Sequence, residues 1–246
     1  MKIFAPVSLA AISAVLVLGA TPAFAQAQAA EDVVEGEIIV TANKRNERLQ
    51  DVAVSVQAVD GETLANQAIS SAKDFGVIAP TLNFQAADEA RLFNFSIRGI
   101  GTESFSVAVE PSVSTIVDGV VYTRVGSVFD GIGDLERVEV LRGPQGTLYG
   151  KNTTGGAVNL ISRAPELGEV NGYANIGYGN YDRIDLNGGV NLPLGETAAL
   201  RVAGTYSKAD GWFKNVLPGK PDLASVSEYG IRASLLFEPS DGVKFV

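Results

Sequence analysis

The 246-residue chain contains no cysteine and no histidine. Without cysteine there is no disulfide, no thiolate nucleophile and no thiolate metal site. Without histidine, Ser-His-Asp and Cys-His catalysis and the common zinc sites are excluded. No resident cofactor or metal is expected. Carboxylate-only catalysis survives on paper, with Asp118, Asp130, Asp134 and Glu136 as the pool for a secreted glycosidase-like enzyme. Cationic charge is also scarce. Nineteen Lys and Arg against 28 Asp and Glu leave a formal net charge of −9, which disfavours nucleic acid as a partner. Outside the N-terminus no apolar run reaches the length of a membrane-spanning helix.

Glycine, by contrast, is abundant, with 27 residues. It is dense between Leu141 and Arg163, where Gly143, Gly146, Gly150, Gly155 and Gly156 separate two apolar stretches. Val138, Val140 and Leu141 predict one strand; Ala157, Val158, Leu160 and Ile161 predict the other. Such a loop needs positive φ or close backbone approach, which glycine supplies. Lys151 beside it suggests phosphate binding, but the P-loop spacing puts Gln145 where glycine is required, and Asn152 follows the lysine. Dinucleotide fingerprints fail as well: Glu136 and Ser104 occupy the third glycine positions. A structural loop is the better reading.

At the start of the chain, Lys2, an apolar run from Val7 to Ala20 and Ala23-Phe-Ala25 form a signal peptide, with cleavage expected after Ala25. Residues 26–36 read as a small, acidic, flexible lead-in. Glu37-Ile-Ile-Val-Thr-Ala42 is β-branched and prefers an extended backbone; an exposed strand there could add to a partner's sheet, or it could be an ordinary first strand. Val52 to Val59 predicts a strand. Asp60 caps a short helix through Leu64, and Ser71 with Asp74 has capping-box spacing before Phe75, Val77 and Ile78. Phe93, Phe95 and Ile97 alternate with polar residues, and Asp118-Gly119 predicts a hairpin turn. The mixture implies a small α+β domain ending near Pro165.

After Pro165 the period changes. Val170–Tyr178, Arg183–Asn191, Leu200–Ser207 and Tyr229–Phe237 alternate over about ten residues each, as tilted strands crossing an outer membrane do. Aromatic residues near the strand ends suit the girdles of such a wall, and outer-membrane lipid is an expected neighbour. The chain stops at Phe245-Val246, at the start of a fifth strand. It therefore reads as an N-terminal portion, because open strand edges are not tolerated in lipid.

Several stretches, in order, resemble one family: Asn94-Phe-Ser-Ile-Arg-Gly99, Ile116-Val-Asp-Gly-Val120, Arg137 through Gly150 and Gly155-Gly-Ala-Val-Asn159 are similar to the plug domain of TonB-dependent outer-membrane receptors. The resemblance implies an α+β plug followed by the first antiparallel strands of a transmembrane β-barrel, which has about 22 strands when complete. It divides the chain into a signal peptide (1–25), a lead-in (26–36), a TonB box (37–42), a plug (43–165) and the start of the barrel (166–246). It implies that Glu37, Ile38, Ile39, Val40, Thr41 and Ala42 bind TonB. It implies that Arg98 and Arg142 pair with barrel glutamates beyond Val246. It further implies active uptake of a scarce solute such as a ferric siderophore. Arg91, Tyr122 and Arg124, in outward loops, are the expected solute contacts, because cationic and aromatic groups suit anionic chelates. A soluble carboxylate enzyme and a passive outer-membrane channel stand as alternatives.

Overall fold

The computed structural model describes residues 38–67, 69, 71–86, 93–104, 106, 108–122, 133–217, 219, 220, 222–240 and 242–246. The expected signal peptide and lead-in, Glu37, Arg91, Arg124 and Asp130 lie outside the described residues. Among the described residues no helix is long and apolar enough to cross a membrane.

The N-terminal domain is built on a five-stranded mixed sheet. Its strands are β3 (Val56–Asp60), β7 (Val113–Val117), β8 (Val120–Tyr122), β9 (Leu135–Arg142) and β10 (Gly156–Ser162), in the order β3-β9-β10-β7-β8. The two apolar stretches that flank the glycine-rich segment pair antiparallel as β9 and β10, with Val140 opposite Val158. Gly156 is required at the start of β10. Its φ is +141°, and a Cβ there would lie 2.2 Å from the Leu141 carbonyl oxygen.

Alternation along β9 sends Val138 and Val140 to one face, and Arg137, Glu139 and Leu141 to the other. On the first face lie α1 (Gly61–Asn66), a 3-10 turn (Ala72–Asp74), α2 (Phe75–Ile78) and a three-stranded sheet of β4 (Leu82–Ala86), β5 (Phe93–Ile97) and β6 (Ile100–Gly101). Phe75, Phe84, Phe93 and Phe95 form a ring cluster there, with centroids 4.8–6.4 Å apart. The helix starts follow the sequence signals: Asp60 accepts from the Thr63 N–H at 2.7 Å, and Asp74 accepts from the Ser71 N–H and hydroxyl. The second face is covered by a hairpin of β1 (Ile39–Val40) and β2 (Glu47–Arg48) and by a single helical turn, α3 (Gly146–Tyr149).

The C-terminal part is a meander of β11 (Asn171–Gly179), β12 (Arg183–Pro193), β13 (Ala198–Ala209), β14 (Val226–Ser240) and β15 (Val243–Phe245), all antiparallel to their neighbours. The four long strands fall where alternation puts them; β11 keeps the expected length, and the other three run further, β14 to 15 residues. One face is apolar and exposed: Ile176 is 80% accessible, Tyr229 81% and Ile231 83%. A water-facing sheet does not present such a surface, whereas a lipid-facing one does. The opposite face carries Asn175, Asn187, Asn191, Arg201, Thr205 and Arg232, and it faces the N-terminal domain.

Candidate functional site

The first site lies where β1 crosses the second face of the sheet. Glu139 is fully buried on β9, and a buried carboxylate must be paired and hydrogen-bonded. Its Oε1 accepts from the Thr41 backbone N–H at 2.8 Å and from Arg137 Nε at 2.8 Å. Its Oε2 accepts from Asn159 Nδ2 at 3.1 Å, and the Thr41 hydroxyl reaches both oxygens. Tyr149 donates its hydroxyl to the carbonyls of Thr41 and Ala42, at 3.1 and 3.0 Å. Burial, and then the nearby Glu139 carboxylate, push the Tyr149 phenol up to about 12. The strand is therefore held from both sides of its peptide groups, while Val40 and Ala42 are fully buried beneath it.

The second site joins the domain to the sheet that follows. Arg201 on β13 donates from Nε and Nη2 to the two oxygens of Asp134, each at 2.6 Å, and both side chains are buried. Arg232 on β14 donates to the carbonyls of Gly133 and Asp134 at 2.8 and 3.0 Å, and to the Ser162 hydroxyl at 2.5 Å. Asn191 accepts from the Glu166 N–H and donates to the carbonyls of Glu166 and Glu169. Gly133 sits against the wall so closely that a Cβ would lie 2.3 Å from Thr205 Cγ2. Fixed bidentate geometry and a satisfied shell make this a specific joint, not a loose contact.

Comparison with known proteins fits this geometry. Residues 48–157 match the TonB-dependent Receptor Plug Domain. The pesticin receptor of Yersinia pestis is 30% identical over 221 residues, covering 87% of this chain and 31% of that protein. The chain belongs to the TonB-dependent receptors. It spans about a third of the length of the curated relatives it matches. The solved ferric yersiniabactin uptake receptor from Yersinia pestis superposes with a TM-score of 0.70 at 26% identity, over 76% of this chain and 29% of that one. The pyoverdine outer membrane receptor of Pseudomonas aeruginosa shares the fold, with a TM-score of 0.69 at 19% identity, over 87% of this chain and 30% of that one. The N-terminal domain is thus the plug, and the meander is outer-membrane barrel wall.

Ile38–Ala42 does not project as an exposed strand: β1 pairs with β2, Ile39 opposite Arg48, and its apolar side chains fill a core. Arg98 is exposed in the tight turn after β5, at φ +54°. Arg142 is half-buried, and its Nε has no hydrogen-bond partner among the described residues. Among the described residues neither arginine forms an ion pair with a carboxylate of the wall strands. The ionic joint to these strands runs with the opposite polarity, from barrel arginine to plug aspartate. Tyr122 lies at the exposed end of β8. Among the carboxylates first considered for catalysis, Asp118 accepts from Ser162, Asp134 holds Arg201 and Glu136 pairs with Arg137.

Glu139, Tyr149, Asn159, Arg201 and Arg232 were not singled out from sequence. Parity held the signal for the last two, since each is a cation on the polar side of an alternating strand. Glu139, a lone carboxylate inside an apolar run, was a second available signal.

Proposed function

We propose that the full-length protein is a TonB-dependent active transporter that carries a scarce solute, most simply a ferric siderophore, across the bacterial outer membrane. TonB captures residues 37–42 by strand addition, and pulling on them rearranges the plug. The observation that carries this reading is the clasp on Thr41. The strand is held by side-chain hydrogen bonds to Thr41 and Ala42, by its two-residue pairing with β2 and by burial of Val40 and Ala42, all outside the ladder of the five-stranded sheet, so it can be exchanged for a partner's edge without dismantling that sheet.

The solute class rests on the relatives. The ferric enterobactin receptor of Pseudomonas aeruginosa is 29% identical over 197 residues, covering 71% of this chain and 26% of that protein. Arg91, Tyr122 and Arg124 then serve as outward contacts for an anionic chelate. Arg98 and Arg142 pair with wall carboxylates beyond Val246, and the unpartnered Arg142 Nε supports that role for the second. No covalent step is required. The test is uptake of labelled ferric siderophores by cells producing the full-length protein, with the proton gradient intact and collapsed. Energy-dependent uptake supports the proposal; uptake that survives collapse supports the passive channel instead.

A further inference from the structure

A cavity of about 560 Å³ opens beside β1, lined by Thr41, Lys44, Arg45, Asn46, Tyr149 and Asn159. Three features make it more than a crevice. First, it carries two exposed cations in a chain of net charge −9, and neither Lys44 nor Arg45 forms an ion pair among the described residues. Second, Lys44 stands at φ +57°, a conformation that a non-glycine residue holds only when its surroundings impose it. That backbone brings the ammonium to 5.5 Å from the centre of the Tyr149 ring, on the same side chain that clasps Thr41 and Ala42.

Third, the cavity borders a buried polar group with one end unused. Asn159 is 5% accessible. Its Nδ2 donates to Glu139 and Thr41, which fixes the amide, and its Oδ1 accepts from no donor among the described residues. Buried acceptors are seldom left so. The carboxylate that also lines the cavity, Asp118, is already committed to the N–H and hydroxyl of Ser162. The vacant chemistry is therefore two cations and one main-chain-type acceptor. A free anion answers only the cations. A peptide with acidic side chains answers both, with carboxylates for Lys44 and Arg45 and an N–H for Asn159.

We infer that this cavity docks an acidic peptide segment of the periplasmic energising partner while Ile38–Ala42 still lies on the plug. The inference rests on the transport reading above. It adds a step before strand capture. A partner already held at Lys44 and Arg45 meets the strand as an intramolecular neighbour, which raises its effective concentration.

The experiment measures binding of the isolated periplasmic domain of TonB to solute-free, full-length transporter in nanodiscs at low and high salt. Lys44→Glu/Arg45→Glu should lower affinity at least tenfold and flatten its salt dependence; Lys44→Gln/Arg45→Gln should do so to a smaller degree. Hydrogen exchange of β9 and β10 should be unchanged in both, since these side chains are exposed. A glutamate-rich decapeptide should compete with TonB for the wild type. Ile39→Pro should retain the salt-dependent docking even as capture is lost. Wild-type affinity in both charge variants, or failure of the acidic peptide to compete, overturns the inference. Normal transport by Ile39→Pro would instead remove the strand-capture reading on which the inference rests, so the two failures are distinguishable.

Discussion

Glu139 on β9 accepts the backbone N–H of Thr41 at 2.8 Å across 98 residues of sequence. Through that contact the chain's first described strand is tied to an interior strand of the plug sheet, not to its rim. The strand is held by these polar contacts, by its short pairing with β2 and by burial of Val40 and Ala42, none of which belongs to the ladder of the five-stranded sheet. The segment can therefore leave while that ladder stays paired, as the proposed transport requires.

Tyr149 is the simplest handle on that hold. Tyr149→Phe removes the single O–H proton shared between two carbonyls, a loss of about 1 kcal/mol in all. Amide exchange of residues 40–43 in the full-length protein should quicken several-fold, with β9 and β10 unaffected. The phenol's raised pKa gives the pH dependence its sign. The folded protein binds this proton more tightly, so the contact is intact below pH 10, weakens above it and is lost as pH rises through about 12. In Tyr149→Phe that alkaline loosening of the segment should disappear.

Asp134 and Arg201 should behave as one unit. Arg201→Met or Asp134→Asn leaves a buried charge without its partner, at a cost of about 3–5 kcal/mol. Asp134→Leu/Arg201→Leu should be less damaging than either single change. Chemical denaturation of the full-length protein, followed through plug-specific probes, gives the coupling energy directly. Strictly additive effects would mean that the two groups do not cooperate.

Gly133 should be a steric gauge of the same joint. Gly133→Ala drives a methyl to 2.3 Å from Thr205 Cγ2 and should cost about 1–3 kcal/mol. Thr205→Ala removes the obstructing methyl. The double variant should recover most of the loss, as read by plug hydrogen exchange.

Much of this architecture is legible in the residues because local signals agree with the global fold. Asp60 and Ser71 begin helical turns where their side chains predict. Asp118-Gly119 makes its hairpin, and alternation, weaker in the first strand, marks four wall strands to within a few residues. The sites were harder to see, for physical reasons. Arg142 and Arg98 look like joint residues from motif position, but the joint to these strands is made by Asp134, whose partner lies 67 residues away and is chosen by tertiary register. The β-branched run at Ile38–Val40 shows an extended backbone. It does not show which neighbour the strand takes, because propensity is silent on pairing. Glu139 and Asn159 become meaningful only when β9, β10 and β1 are brought together.

The central claim is that Ile38–Ala42 couples the plug to TonB, and Ile39→Pro tests it most directly. Proline cannot donate the main-chain hydrogen bond that strand addition requires. The paired measurement is solute binding at rest and uptake in energised cells, for full-length Ile39→Pro and for the conservative Ile39→Val. The account predicts near-normal binding in both, uptake abolished by proline and uptake retained with valine. Normal energised uptake by Ile39→Pro would contradict it.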